Sequence, residues 1–311
     1  MNQFPTAPGV PSLGYYIPEL YAKELLVEFY ISTVLSAIAN TDYEGEIKSQ
    51  GDTVIVRALP AMQIRKYLKG MNLQYDHLQP SEVKLIIDKA LYYGVQLPKI
   101  DVVQSDIAFV SKWAAHASQE LKIEVDRDCL SRLPAAAHAK NAGDAAGKIS
   151  SSVNLGKAGT PVTLTEVNIL GKILEAVQCL AEQNIDTSNP GKVWAVIPAW
   201  VATRIQTSKL SDASVSGDGV SMLRNGRLGV IGEATLYRSN NILPDADGCY
   251  HIIVGHKDCY TFASQLTENE TLKNQNDFGD LMRGLQVYGD KVMKPEGIVD
   301  LYVKPGALTT V

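Results

Sequence analysis

Residues 106–133 read DIAFVSKWAAHASQELKIEVDRDCLSRL and contain neither glycine nor proline. Apolar or small side chains recur there every three or four residues, at Val110, Ala114, Ala117, Leu121, Val125, Cys129 and Leu133. Because an α-helix repeats every 3.6 residues, this spacing places them on one stripe. We predict a helix of about 40 Å with Ser105 as its N-cap and Pro134 at its end.

The opposite side of this predicted helix is polar. It carries Lys112, Glu120, Lys122, Glu124, Asp126 and Arg132. We expect these side chains to face water, and we expect the paired carboxylates of Asp126 and Asp128 to lie on that hydrated side. Such a long helix suits a scaffold strut. It also suits the backbone helix of an ordinary α+β enzyme, and the pattern alone leaves both interpretations open.

The composition is typical of a globular protein. The chain has 311 residues, of which 45% are hydrophobic and 20% are charged, so it can form one large domain or two to three smaller ones. Its 34 acidic and 29 basic residues argue against a dedicated nucleic-acid binder. Four cysteines without a C-x-x-C pair indicate a reducing compartment. We expect no signal peptide and no membrane-spanning segment.

Two strand-like runs precede the helix, at 52–59 and 82–98, and Gly94 suggests a bend or bulge in the second. They predict a long hairpin around a wide polar insert. A two-stranded ribbon is marginally stable in water, so we expect it to lean on another domain or subunit. The basic group at its tip is either a solvated loop or a partner for acids on a neighbour.

The rest of the chain contains both helix and strand patterns, and we expect an α+β fold. Residues 135–152 are rich in Ala, Gly and Ser, and we predict a flexible connection there. The apolar run 193–197 predicts a buried strand, and Pro198 begins a helix over 199–207. Further strands are predicted at 229–238, 250–255, 284–292 and 298–304.

No catalytic, cofactor-binding or metal site is predicted. Cys249, His251, His256 and Cys259 are potential zinc donors, but their spacing fits no zinc motif, and we interpret them as half-buried strand residues. The evenly spaced Gly226, Gly229 and Gly232 precede a strand-like run and not the helix that a phosphate loop needs. Neither a nucleophile elbow nor a recognisable triad occurs.

Several segments together resemble tailed-bacteriophage major capsid proteins. They are PELY at 18–21 with Lys23 and Glu24, DYEGEI at 42–47, GDTV at 51–54, WAVIP at 194–198, Gly229 through YRSNNILP at 237–244, MRGLQVYGDKV at 282–292, and Pro295-Glu296. Each segment alone is weak, and their order is what makes the resemblance specific. The resemblance implies a Hong Kong 97-type fold.

The resemblance also implies a division of the chain. Residues 1–45 are expected to form an N-terminal arm and 46–101 an extended β-hairpin loop. Residues 102–152 are expected to form a peripheral domain with the long helix as its spine, 153–275 an axial domain, and 276–311 strands that return to the peripheral domain. The segments 135–152 and 209–225 are then flexible joints between different local curvatures.

The function implied is a coat protein that self-assembles into the hexamers and pentamers of an icosahedral shell around double-stranded DNA, located in the virion and assembled in the host cytoplasm. Candidate contacts between subunits are Tyr15, Tyr16, Arg65, Lys66, Tyr67 and Lys69. Identical subunits are the expected partners, together with separate scaffolding, portal and decoration proteins where these are used. The packaged DNA is expected to lie inside without sequence-specific binding.

Two other functions remain open at this point. The first is the shell of an encapsulin-like nanocompartment, which has the same fold and encloses cargo enzymes. The second is a soluble α+β enzyme whose site is unrecognised. No membrane, cofactor or metal is expected in any of the three.

Overall fold

The computed structural model describes residues 33–41, 53–58, 64–72, 75, 81–98, 109–189, 191–208, 229–274 and 279–306. The helices are α1 (Leu35–Ile38), α2 (Phe109–Arg132), α3 (Ile169–Glu182) and α4 (Ala199–Thr207). The strands are β1 (Thr53–Ala58), β2 (Ser81–Ile86), β3 (Lys89–Pro98), β4 (Val162–Leu164), β5 (Val193–Ile197), β6 (Val230–Ile231), β7 (Ala234–Arg238), β8 (Tyr250–His256), β9 (Tyr260–Lys273), β10 (Gly279–Val292) and β11 (Ile298–Pro305).

The larger core surrounds a six-stranded mixed sheet with strand order β4-β11-β8-β5-β7-β6. Its central strand β5 is buried along its whole length, as its continuous apolar sequence predicts. Val193, Ala195 and Ile197 face one hydrophobic core, to which α3 and α4 contribute. Trp194 and Val196 face a second core, which is completed by α1 and the C-terminal half of α2. The sheet is therefore covered on both faces.

The second sheet contains three long antiparallel strands in the order β3-β10-β9. Strand β9 was not predicted, since its second half is polar. The irregularity expected at Gly94 is wrong, because Gly94 pairs in register with Arg283. The register shift lies instead between Val287 and Tyr288, where β10 pairs with β9. A glycine in a strand is thus only a weak indicator of a bulge, because a regular ladder also accepts it.

The predicted hairpin forms, but its second run is divided between two sheets. β1 and β2 pair antiparallel from Thr53↔Ile86 to Ala58↔Ser81, whereas β3 pairs with β10. Leu85 and Ile87 at the hairpin's root are buried beside Ala263 of β9. A Cβ atom at Gly289 would lie 2.3 Å from the Ile86 carbonyl oxygen, so this close approach of two backbones requires glycine. The root therefore leans on the chain's own second sheet.

The long helix is confirmed over Phe109–Arg132, about 36 Å, and residues 106–108 lie outside the described ranges. Val125, Cys129 and Leu133 of the predicted stripe are buried. The expectation that Asp126 faces water is wrong, because only 1% of this residue is exposed. Asp126 lies beside Val125 on the side covered by α1 and by the turn after β7, so its carboxylate meets hydrogen-bond donors from both.

The prediction of a flexible connection at 135–152 is also wrong. Asn141 is fully buried, and its amide nitrogen donates to the carbonyl oxygens of Glu296 and Ile298 at 2.7 and 3.0 Å. Its amide oxygen accepts from Gln183 Nε2 at 3.0 Å. Composition suggested mobility, but partners more than 40 residues away in sequence hold the segment in place. The other predicted joint, 209–225, lies outside the described residues.

The last two strands belong to different sheets. β10 pairs with β3 and β9, whereas β11 lies between β4 and β8 in the six-stranded sheet. The expected segment 276–311 therefore contributes to both cores. Of the expected arm 1–45, the structure describes 33–41, where Ile38 and Ala39 are buried in the second core.

Candidate interaction surfaces

The end of the β1–β2 hairpin exposes large apolar side chains. The last pair of the ladder is Ala58↔Ser81, and the chain beyond it includes the described residues 64–72 and 75. Ile64 is 99% exposed, and Leu68 and Tyr75 are 71% and 83% exposed. Apolar side chains grouped in this way mark surfaces that another molecule covers. Burying one of them stabilises a contact by about 1.5–3 kcal/mol.

The same tip is strongly basic. Arg65, Lys66 and Lys69 lie in 64–72, which contains no acidic residue. Gly70 has a φ of +91°, and the Met71 amide donates to the Leu68 carbonyl at 3.1 Å, so a tight turn presents these side chains. The tip combines positive charge with apolar area, which fits a partner surface that is apolar and acidic.

Four of the six contact candidates from the sequence, Arg65, Lys66, Tyr67 and Lys69, are exposed on this tip. Their contact with another subunit stays a prediction. Tyr15 and Tyr16 lie outside the described residues. Sequence reasoning missed Ile64, Leu68 and Tyr75, although apolar residues within a polar insert were a visible signal.

A second apolar surface lies on the three-stranded sheet. Tyr92, Leu285, Leu281 and Leu272 share one face through the pairs Tyr92↔Leu285 and Leu281↔Leu272. Tyr92 is 80% exposed, whereas Met282 on the opposite face is buried. An ion pair between Arg283 Nη2 and Glu270 Oε2, 2.6 Å apart, crosses the exposed face. Since the described chain leaves this face open, it is a second candidate contact surface.

The four potential zinc donors do not converge. Cys249 and Cys259 are buried at opposite ends of β8, and the His256 ring nitrogen accepts from the Asp258 amide at 3.3 Å. His251 Nδ1 lies 2.8 Å from Asp300 Oδ1, and its Nε2 lies 3.3 Å from Asp245 Oδ2. Within the described residues, no group of three or more His, Cys, Asp or Glu side chains could hold a metal ion.

The ion pairs of His251 predict a dependence of stability on pH. Burial opposes the imidazolium, but the hydrogen bond and charge of Asp300, together with Asp245, outweigh it and raise the pKa of His251. The ion pairs therefore stabilise the fold fully below the unfolded pKa, and their contribution is lost as pH rises through the folded pKa. We expect His251→Gln to lose up to about 1 kcal/mol at pH 5.5 and less at pH 8.

Chemical denaturation of the unsubstituted protein and of His251→Gln at pH 5.5 and pH 8 measures the difference in their free energies of unfolding. His256 has a lowered pKa, chiefly because of burial. It is present in both proteins, so its contribution cancels in the comparison. An equal loss at the two pH values would show that the His251 charge contributes nothing.

Comparison with solved structures places this fold among those of phage particles. A structure from Mycobacterium phage Che8 is 26% identical with a TM-score of 0.76, covering 93% of this chain and 98% of that one. The capsid of cyanophage P-SCSP1u is 14% identical with a TM-score of 0.69, covering 94% of each chain. The mature capsid of bacteriophage PhiM1 is 13% identical with a TM-score of 0.67, covering 95% of this chain and 93% of that one.

No protein-family model and no curated protein sequence matches the chain. The structural matches nevertheless extend over nearly all of it, so the chain has the mixed helix-and-sheet fold of bacteriophage capsid proteins. The resemblance inferred from the short sequence segments is confirmed at the level of the fold. Among the described residues, no helix combines the length and apolar character needed to cross a membrane.

Proposed function

We propose that this chain is the major capsid protein of a tailed bacteriophage, and that its copies form the hexamers and pentamers of an icosahedral shell around double-stranded DNA. The observation that carries this proposal is the fold match with phage capsid structures over 93–95% of the chain. The matched chains are themselves covered to 93–98%, so the likeness is to whole subunits. This function is structural and not enzymatic.

Within this proposal the fold is of the Hong Kong 97 type. The helix α2 acts as the spine of a peripheral domain that includes the three-stranded sheet. The six-stranded sheet with α3 and α4 acts as the axial domain, and β11 belongs to it because it pairs with β8 and β4. The hairpin β1–β2 is the root of the extended loop, and residues 1–45 are the arm.

The exposed surfaces support assembly through identical copies. The hairpin tip and the open sheet face both present apolar side chains that the described part of the chain leaves uncovered. Within this proposal the tip contacts a different surface patch on a neighbouring subunit, and such heterologous contacts close into rings by rotation. Each contact can be modest, because a shell repeats it many times.

The remaining partners follow from the same proposal. Separate scaffolding, portal and decoration proteins would act on the shell, and assembly would take place in the host cytoplasm. The net charge of -5 suits a container that must release packed DNA, because an acidic subunit binds the phosphate backbone weakly.

Electron microscopy of the purified full-length protein tests the proposal. We expect closed shells or rings of capsomers in negative stain, and sedimentation well above that of a monomer. Shells that contain nucleic acid support the phage function, and shells that contain a co-purified enzyme support the nanocompartment. A protein that stays monomeric at high concentration contradicts both.

A further inference from the structure

Helix α1 begins without a cap from its own sequence. Its N-cap residue, Val34, has no side chain that can accept a hydrogen bond, so the first amides of the helix need another partner. Asp126 Oδ1 accepts from the Val34 and Leu35 amides at 3.0 and 2.9 Å. A carboxylate of α2, 91 and 92 residues away in sequence, thus caps the N-terminus of α1.

The second carboxylate oxygen of Asp126 is held by Asn241. Asn241 Nδ2 donates to Asp126 Oδ2, and both residues are at most 2% exposed. The backbone amide of Asn241 donates to Ser239 Oγ at 3.1 Å, and the backbone amide of Ser239 donates to the Ile197 carbonyl at 3.0 Å. These bonds attach the turn after β7 to β5 and orient the side-chain amide of Asn241 toward the Asp126 carboxylate.

The other end of the N-terminal segment is fastened separately. The Asn40 amide donates to the Tyr260 carbonyl at 2.8 Å, and the Phe262 amide donates to the Asn40 carbonyl at 3.1 Å. Between the two attachments, Ile38 is completely buried. The carboxylate of Asp126 therefore holds the first residues of the described segment 33–41 in place.

We propose that Asp126 and Asn241 form a clasp that positions the part of the arm that contains α1, and that shell assembly depends on it. The dependence of assembly rests on the proposed function, whereas the clasp itself does not. Both are positioning residues, because they act through the backbone of Val34 and Leu35. The segment YRSNNILP, which contributed to the resemblance, thereby gains a role within the subunit.

A swap of the two side chains tests the clasp in the full-length protein. Asp126→Ala removes the acceptor of both backbone amides and of the Asn241 side chain, and Asn241→Asp places two carboxylates face to face. The double variant that exchanges the two side chains, Asp126→Asn with Asn241→Asp, restores one donor and one acceptor between them and keeps an amide oxygen for Val34 and Leu35. Hydrogen exchange at these two amides reports the clasp, and exchange at Ala195 and Val254 of the six-stranded sheet serves as the reference.

We expect each single variant to accelerate exchange at Val34 and Leu35 by at least about tenfold, because a charge-assisted bond to a buried group is lost. The double variant is expected to recover most of the protection while the reference amides stay unchanged throughout. Unchanged exchange in the single variants, or no recovery in the double variant, overturns the clasp. General loss of protection in all three variants overturns it as well, because the residues would then be part of the global core.

Electron microscopy of the same variants tests the link to assembly. We expect fewer closed shells from the single variants and recovery in the double variant. Normal shells together with accelerated exchange would overturn that link and leave the clasp intact. If the unsubstituted protein forms no shells, the proposed function fails, and the exchange result still decides the clasp.

Discussion

A subunit in which residues 59–80 are replaced by Asn-Gly is expected to fold and to form no shells. The replaced residues lie beyond Ala58↔Ser81, the last pair of the β1–β2 ladder, and Asn-Gly is a favoured two-residue hairpin turn. Leu85 and Ile87, which pack the hairpin's root against the second sheet, remain. The deletion removes Ile64, Tyr67, Leu68 and Tyr75, whose apolar area has no cover in the described chain.

This variant should therefore keep its stability and lose its ability to assemble. Shortening the loop from 22 to 2 residues lowers the entropy cost of closing it by about 2 kcal/mol, so the free energy of unfolding should be equal or higher. Urea denaturation measures that, and negative-stain microscopy counts shells. A matched control keeps the loop length and replaces only Ile64, Tyr67 and Leu68 by serine. It should also fold and fail to assemble.

Either of two results would contradict this expectation. A deletion that unfolds the subunit would place the loop in the subunit's own core. A deletion that leaves shell yield unchanged would show that the tip makes no contact needed for assembly. In the second case the open face around Tyr92 becomes the surface to test.

The largest loss of stability is expected for Trp194→Ala. Trp194 is 2% exposed on the central strand β5, in the core shared by α1, the C-terminal half of α2 and the sheet. Gly255 lies directly opposite, and a Cβ atom there would be 2.5 Å from the indole Cζ2, so the ring occupies the space that the glycine leaves. Removing the indole ring leaves a cavity between the sheet and the helices that pack on it. Because these elements can move only slightly to fill it, we expect the free energy of unfolding to fall by about 3–5 kcal/mol.

Trp194→Phe is the matched control. The indole Nε1 is buried and has no hydrogen-bond partner among the described residues, so phenylalanine removes an unpaired donor and keeps most of the aromatic area. We expect it to lose well under half of what alanine loses. Denaturant unfolding of the full chain gives both values. A loss below about 1 kcal/mol for Trp194→Ala would mean that the layer repacks around the gap.

Elements with an uninterrupted local pattern were predictable. The helix α2, the buried strand β5 and the helix α4 after Pro198 each depend on periodicity or punctuation within a few residues. The hairpin was predictable too, because two runs of β-forming residues flank a polar insert. The basic residues of its tip were identified, but the apolar ones beside them were overlooked.

Features that depend on distant partners could not be predicted in this way. Asp126 occurs between polar residues of a helix, and nothing near it in sequence indicates that two backbone amides of α1 and the side chain of Asn241 reach it. Residues 135–152 have the composition of a linker, but Asn141 is held by Gln183, Glu296 and Ile298. The polar half of β9 is a strand because β10 supplies its ladder partners.

The sequence alone determined the class of the fold, the long helix, the hairpin with its basic tip and the resemblance to tailed-phage capsid proteins. These features follow from short-range patterns and from the order of segments along the chain. Only the tertiary structure decided which strands share a sheet, that Asp126 is a buried cap and that the connection at 135–152 is held firmly. These three features depend on contacts between residues far apart in the sequence. A hydrogen bond or a packed core forms only when the fold brings both partners together.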